Sequence, residues 1–417
     1  MRRIISICMK NSVGMENKKI KDRSILEQAV KNIEVPDDYC NCSIQLEKTA
    51  ARNQKHSGRC WIESALDELE YKYFRDTGKR LPHLSAGFIE YYDLCLKVHI
   101  FLRQIFQTKD LPLDDPQVNY WITRPVQDAG QRKIFLELLE KYGIVPEDSM
   151  EPSVNFENTS IMIAGLNQKL RLCAYQIRNG EKKIELLERE VVGLLKRCLG
   201  QMPERIIFKG VSMTPVAFYQ KYIKKYVSDQ EVSFINCPVK QRPYDQNYKV
   251  KWLYADKETG SSVTYYNIPF NIFVSMSIRQ LEMGIPVWAG IDAEHFSDKE
   301  KGIFDIDMFD FETLFDTQLE LEKGEAILYK DSSMTHALLL YGVDIEDGVV
   351  KRWCVKNSFG SKIGQDGYAY MSEKWFRRYV YQIVICKEVA EEFFDLENIK
   401  NAPTTWLQTW DGLGCLA

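Results

Sequence analysis

The sequence predicts an α+β protein of two lobes, and two observations carry that prediction. Apolar residues recur at helical spacing through much of the first half. Short β-rich runs separated by turn signals fill the last third. At 417 residues the chain is also too long for one ordinary core.

Each element follows in chain order. Residues 1–50 are polar and mixed and read as an N-terminal arm with some helix. From Cys60 onward, Ile62, Ala65, Leu66, Leu69 and Tyr73 share one helical face, and Gly78 is the stop. A second helix, rich in aromatics, fits 84–106. Asp128-Ala129-Gly130-Gln131 opens a third, which runs through Phe135, Leu138 and Leu139 to Gly143 and closes at Pro146. Residues 160–200 read as helical with a break at Asn179-Gly180. Thr214-Pro215 joins a hydroxyl cap to a proline at the first helical position. Over 237–270 the texture changes to short runs with Tyr, Val and Pro. A helix over 271–283 ends at Gly284, and Pro286 to Ile291 read as a buried strand. Strands are expected from His336 to Val343, from Arg352 to Lys356 after an Asp347-Gly348 turn, from Tyr368 to Met371 and from Tyr381 to Ile385. Ser372 caps a short helix before the last of these.

The chain therefore divides into an N-terminal arm (1–50), a helical stretch (51–100), a further mainly helical stretch (101–270), a sheet-forming stretch (271–400) and a C-terminal segment (401–417).

Composition narrows the function. The net charge of −4 gives no overall basic field for nucleic acid or an anionic membrane. Lys221, Lys224 and Lys225 with Arg205 and Lys209 form only a loose scatter, as solvated helix faces do. No run is long enough to span a membrane. The short apolar run after Met1-Arg2-Arg3 lacks a small-residue cleavage site, so a cytoplasmic setting is expected. Eleven cysteines show no metal-binding cluster, and Cys40 and Cys42 are too close for a zinc knuckle. Most read as buried small hydrophobes. No metal or organic cofactor is expected.

Cys60 opens a helix, where partial positive charge favours a thiolate. It is flanked by Ser57-Gly58-Arg59 and Trp61, with Gly58 read as allowing a tight turn. Gln54, six residues earlier, is a side-chain donor for an oxyanion together with the Cys60 backbone N–H. His336 is the expected general base. His56 lies in the loop between Gln54 and Cys60 and is expected to face solvent. His83 and His99 suit helix flanks, and His295 is the rival. Asn357 follows at a position where its side-chain oxygen can accept from the imidazole, and Phe359 would shield that bond from water.

These segments resemble the bleomycin hydrolase and bacterial aminopeptidase C family of papain-like cysteine peptidases. The likeness is carried by Asn53-Gln54-Lys55 with Ser57-Gly58-Arg59-Cys60-Trp61, by Pro125 to Gln131, by Glu140 to Pro146, by Met334-Thr335-His336-Ala337, by Asn357-Ser358-Phe359-Gly360 and by Trp410 to Ala417. It covers roughly residues 45–417. Cys60 and His336 lie about 130 residues further apart than in the papain pattern, which points to the insertion.

The resemblance implies a papain-like two-lobed fold with a large helical insertion and a C-terminal arm in the cleft. It implies a cysteine aminopeptidase acting on peptides through Cys60, His336, Asn357 and Gln54, and a homohexamer with inward-facing sites. It also implies that the carboxylate of Ala417 pairs with the substrate's ammonium group. A hexameric scaffold that binds nucleic acid is the alternative, and the acidic balance opposes it. Four features depart from the family pattern. Phe359 stands where Trp is usual, Glu63 stands where apolar residues are usual and either tunes the cleft or faces solvent, the segment before Gln54 reads as shorter than in animal relatives and bears little likeness to theirs, and Cys415 is unusual in the arm.

Overall fold

The computed structural model describes residues 24–228, 230–254 and 262–414. The chain forms two compact units. Of the described residues, one comprises 54–228, 250–254 and 262–263, the other 24–53, 230–249 and 264–414.

The first unit is mostly helical. Helix α1 (Cys60–Thr77) buries Ile62, Ala65, Leu66 and Leu69, as the spacing predicts, and Trp61 besides, while Tyr73, expected on the same face, is only half-buried. It stops at Gly78, whose φ of +64° suits a residue without a Cβ. Helix α2 (Ala86–Gln107) starts at Ser85, whose hydroxyl accepts from Phe88 N at 3.1 Å. Helix α3 (Arg132–Tyr142) ends at Gly143. Helices α4 (Ser160–Arg178) and α5 (Ile184–Leu199) pack on α2 and on each other, with the expected break between them. Buried ion pairs stitch the bundle, including Arg132 to Glu68 at 3.0 Å. Within the stretch expected to be mainly helical, Ile206–Phe208 and Val211–Met213 form a hairpin instead. Lys209-Gly210 turns it, with φ of +50° and +77°. Thr214 caps the short helix that follows, accepting from Ala217 N at 3.1 Å.

The second unit is built on a sheet. Its central strands are β1 (Glu231–Ile235), β2 (Val287–Ile291), β3 (His336–Glu346), β4 (Val349–Lys356), β5 (Tyr368–Ser372) and β6 (Val380–Cys386). They lie in the order β1-β6-β2-β3-β4-β5, each neighbour antiparallel. β2 and β6 are buried on both faces. The Asp347-Gly348 turn joins β3 to β4, as expected, with φ of +51° and +75°. Helix α6 (Phe270–Glu282) packs on β3 and β6, and Ser372 caps helix α7 (Glu373–Tyr379). The described part of the N-terminal arm holds a helix, Ile25–Ala29, and the pair Ile44–Gln45, which hydrogen-bonds to β3 opposite Val343 and Gly342.

Candidate active site

Within the helical unit, Cys60 is the first residue of α1 and is buried. Gln54 is buried too. Its Nε2 donates to Ser57 O at 2.6 Å, and Ser57 Oγ donates back to Gln54 O at 2.6 Å. This reciprocal pair fixes the amide's orientation six residues before the thiol.

Asp128 braces the loop from outside. One carboxylate oxygen accepts from Gly58 N at 2.7 Å and from Thr159 Oγ1 at 2.5 Å. Its backbone oxygen accepts from Trp61 Nε1 at 3.0 Å. Gly58 is required here for a reason other than the tight turn expected of it. A Cβ at that position would lie 2.4 Å from Asp128 Oδ1. Gly130 is constrained in the same way, since its Cβ would meet the Trp61 ring at 2.4 Å.

Arg59, buried beside the thiol, donates to Glu63 at 3.1 Å and to Glu90 at 3.0 Å. Glu63 is thus a buried ion-pair partner, not a solvent-facing residue. Burial pushes Glu90 up to about 7, only partly offset by Arg59. Burial likewise raises Asp93 to about 6 against the pull of Lys97, whose ammonium also holds the carbonyls of Gln127 and Ala129 at 2.9 and 2.6 Å.

The sheet unit places His336 at the start of β3, buried, opposite Ile291 of β2. His336 Nε2 lies 2.8 Å from Asn357 Oδ1, and the Phe359 ring stacks on the imidazole with centroids 5.0 Å apart. The pairing of His336 with Asn357, the one partnership the sequence proposes inside this unit, is therefore formed. Asn357 Oδ1 also accepts from Ser358 N at 2.8 Å, and Asn357 N donates to Gly367 O. An amide oxygen can only accept, so Nε2 carries the proton and Nδ1 keeps its lone pair. Burial pulls the His336 pKa down to about 4, against the Asn357 hydrogen bond and with help from the charge of Lys299. The ring is a neutral base in a dry place.

The Asn357 loop is itself tied down. Gly360 N donates to Arg52 O at 3.0 Å, and Asn53 bridges to Phe359. The turn leading into His336 is held by Thr335 N to Ile291 O at 2.9 Å and Met334 N to Gly412 O at 3.2 Å, so the base of the C-terminal arm abuts the histidine segment. Arg242 pairs with Asp411 at the same place.

The other histidines are engaged elsewhere. His56 is exposed, as expected. His83 meets Glu70 and His99 meets Glu188. His295 bonds Asp292 at 2.9 Å. Burial opposes its charge, but Asp292 outweighs burial and raises its pKa. That proton-holding pair is the opposite of what a resting base needs. Ala417 and Cys415 lie outside the described residues. Of the basic scatter, Lys224 pairs with Glu140 and Lys225 with Asp76, each at 2.7 Å.

The sequence reading made Asp128 the opening of the third helix, which instead begins at Arg132, and gave no role to Glu90 or Arg59 in the site. Only the position of Asp128 inside the Pro125 to Gln131 segment signalled its place in the site.

Residues 10–414 match the Peptidase C1-like family. The chain is 35% identical over 410 residues to Aminopeptidase C of Streptococcus thermophilus, covering 92% of this chain and 90% of that one. It is 32% identical over 403 residues to Bleomycin hydrolase of Gallus gallus, covering 90% and 88%. The crystal structure of PepW from Lactobacillus rhamnosis HN001 is similar with a TM-score of 0.85 and 32% identity, over 95% of this chain and 94% of that one. The α+β fold is that of the papain-like peptidases, and the chain belongs to the Peptidase C1-like family, alongside aminopeptidase C and bleomycin hydrolase.

Proposed function

We propose that this protein is a cysteine aminopeptidase whose nucleophile is Cys60 and whose base is His336, oriented by Asn357. The observation that carries the reading is the 2.8 Å bond from His336 Nε2 to Asn357 Oδ1 under the Phe359 ring, which leaves Nδ1 as the basic atom. In this reading Nδ1 takes the thiol proton as Cys60 Sγ attacks the first peptide carbonyl. The Gln54 amide and the Cys60 backbone N–H stabilise the resulting oxyanion. The imidazolium then gives its proton to the departing amine, leaving the N-terminal residue as a thioester on Cys60. Water, losing a proton to Nδ1, attacks the thioester and restores the thiol.

The proposal extends to the C-terminal arm. Ala417 would offer its carboxylate to the substrate's ammonium group, so that single residues are cut from the amino end. The bond from Met334 N to Gly412 O, two residues ahead of His336, supports that role. A homohexamer in the cytoplasm completes the reading.

The test is release of the N-terminal residue from a short unblocked peptide. Wild-type protein should release it and Cys60→Ser should not. Turnover that survives the Cys60→Ser change would overturn the assignment.

A further inference from the structure

We propose a second thiol site, separate from Cys60: a buried dithiol, Cys40 with Cys354, that closes to a disulfide when a small disulfide such as oxidised glutathione acts on Cys42. The site rests on geometry inside the sheet unit and does not depend on the peptidase reading. Cys40 Sγ and Cys354 Sγ lie 3.0 Å apart, and both residues are buried. The bond they would form is about 2.0 Å long, so closure needs a movement of roughly 1 Å.

The approach is fixed by backbone held on both sides. Upstream of Cys40, Tyr39 Oη donates to Tyr368 O at 3.0 Å and accepts from Gln365 N at 3.0 Å, while Gln365 Nε2 reaches Asp37 O. Downstream, Arg352 Nη2 donates to Asn41 O at 3.2 Å. Ser43 N donates to Asp344 Oδ1 at 3.1 Å, and Ile345 N donates to Ser43 Oγ at 2.8 Å. Cys354 is fixed by the strand register, opposite Gly342 where β3 carries an irregularity. Two sulfurs pinned this closely by independent contacts are set for bonding.

Cys42 is the entrance. It is only part-buried, its Sγ donates to Tyr39 O at 3.5 Å, and it interacts with both Cys40 and Cys354. Burial pushes its thiol up to about 12 and raises Cys354 well above the ordinary range, which makes the exchange slow at neutral pH. The steps balance as follows. The Cys42 thiolate attacks the small disulfide and releases one small thiol. Cys354 attacks the Cys42 sulfur and releases the second. Cys40 attacks the Cys354 sulfur and returns Cys42 as a thiol. Two protein thiols lose two electrons and two protons, and the small disulfide gains them.

The bond would staple the segment before Gln54 to β4, whose last residue, Lys356, precedes Asn357. That segment already runs along the sheet through Gln45, Thr49, Arg52 and Asn53.

The experiment uses full-length protein carrying Cys60→Ser, so that oxidation of the nucleophile cannot contribute. It is held with oxidised glutathione, alkylated under denaturing conditions and digested with trypsin without reductant. Residues 32–48 should be found joined to residues 353–356, minus two hydrogens, and dithiothreitol should separate them. Cys42 shares the first peptide, so fragmentation of the joined peptide should place the link on Cys40, and the added Cys42→Ser variant should form it more slowly or not at all. The oxidised protein should melt several degrees higher than the reduced one, and Cys354→Ala should lose both the link and the shift. Failure to form the joined peptide, a link carried by Cys42 and not by Cys40, a link formed as fast in Cys42→Ser, or an unchanged melting temperature would overturn the proposal.

Discussion

The surroundings of Cys60 and of His336 are built from opposite materials. Around Cys60 the helical unit buries ionisable pairs: Arg59 with Glu63 and Glu90, and Lys97 with Asp93. The ring of His336 touches neutral groups, an amide oxygen and a phenyl face. In the proposed mechanism the nucleophile, which must carry charge, would sit in an ionic frame at a helix start, where that charge is tolerated. The proposed base, which must keep a lone pair, would sit where a proton is costly. The contrast shows two ways to prepare a reactive atom, by fixed charge and by exclusion of water.

The sharpest break in this comparison is removal of the base. His336→Gln should lower kcat for peptide cleavage by about 10³–10⁴-fold while the far-ultraviolet circular dichroism spectrum stays unchanged. A smaller loss would mean that another group takes the proton.

Acid titration should then separate the two units by sign. His336 has its pKa depressed to about 4 in the folded chain, so its contribution to stability is present above about 6.5. That contribution is lost as pH falls toward 4, by up to about 3 kcal/mol. Glu90 is raised to about 7, so its contribution is present below about 4.5 and is lost as pH rises through 7, by a similar amount. Urea unfolding of wild type, His336→Gln and Glu90→Gln across pH 4–8 reads both. The wild-type minus His336→Gln difference should rise with pH, and the wild-type minus Glu90→Gln difference should fall. Equal slopes would erase the distinction.

Asp128→Ala tests the ionic frame from outside. It leaves Gly58 N and Thr159 Oγ1 without their acceptor and should cost about 2 kcal/mol in urea unfolding. It should also slow alkylation of Cys60 by iodoacetamide, because the loop before the thiol is no longer braced. The smallest expected effect belongs to the apolar frame. Phe359→Leu removes a stacked ring at a cost of about 1 kcal/mol, read as a lower melting temperature. It should also admit water to the His336–Asn357 bond and weaken the selection of the tautomer, seen as a changed pH–rate profile.

Much of this was legible in the sequence, because much of it is local. Gly78, the Thr214-Pro215 cap, the Asp347-Gly348 turn and the Ser372 cap each act within a few residues, and each lies where the pattern puts it. The His336–Asn357 pair was legible because each opens or follows a strand with its own signal. What escaped the reading acts across distance. Glu63 was left between tuning the cleft and facing solvent because its partnership with Arg59 extends to Glu90 on another helix, and no periodicity records that. Gly58 was read through its own backbone, whereas its need for a missing side chain arises from a carboxylate 70 residues away. The Lys209-Gly210 hairpin broke an otherwise helical texture because two left-handed residues in sequence reverse the chain more sharply than a helix can.

The brace that Asp128 provides also bears on how such a chain could be shortened. An engineer trimming the insertion toward a minimal peptidase would delete the acceptors of Gly58 N–H and of the Trp61 indole together. Any repacking that kept water from both donors would then cost on the order of 1–3 kcal/mol each. The segment around Asp128 is therefore a support on which the loop before Cys60 leans, and a shortened chain would need either a replacement carboxylate or water at those two donors.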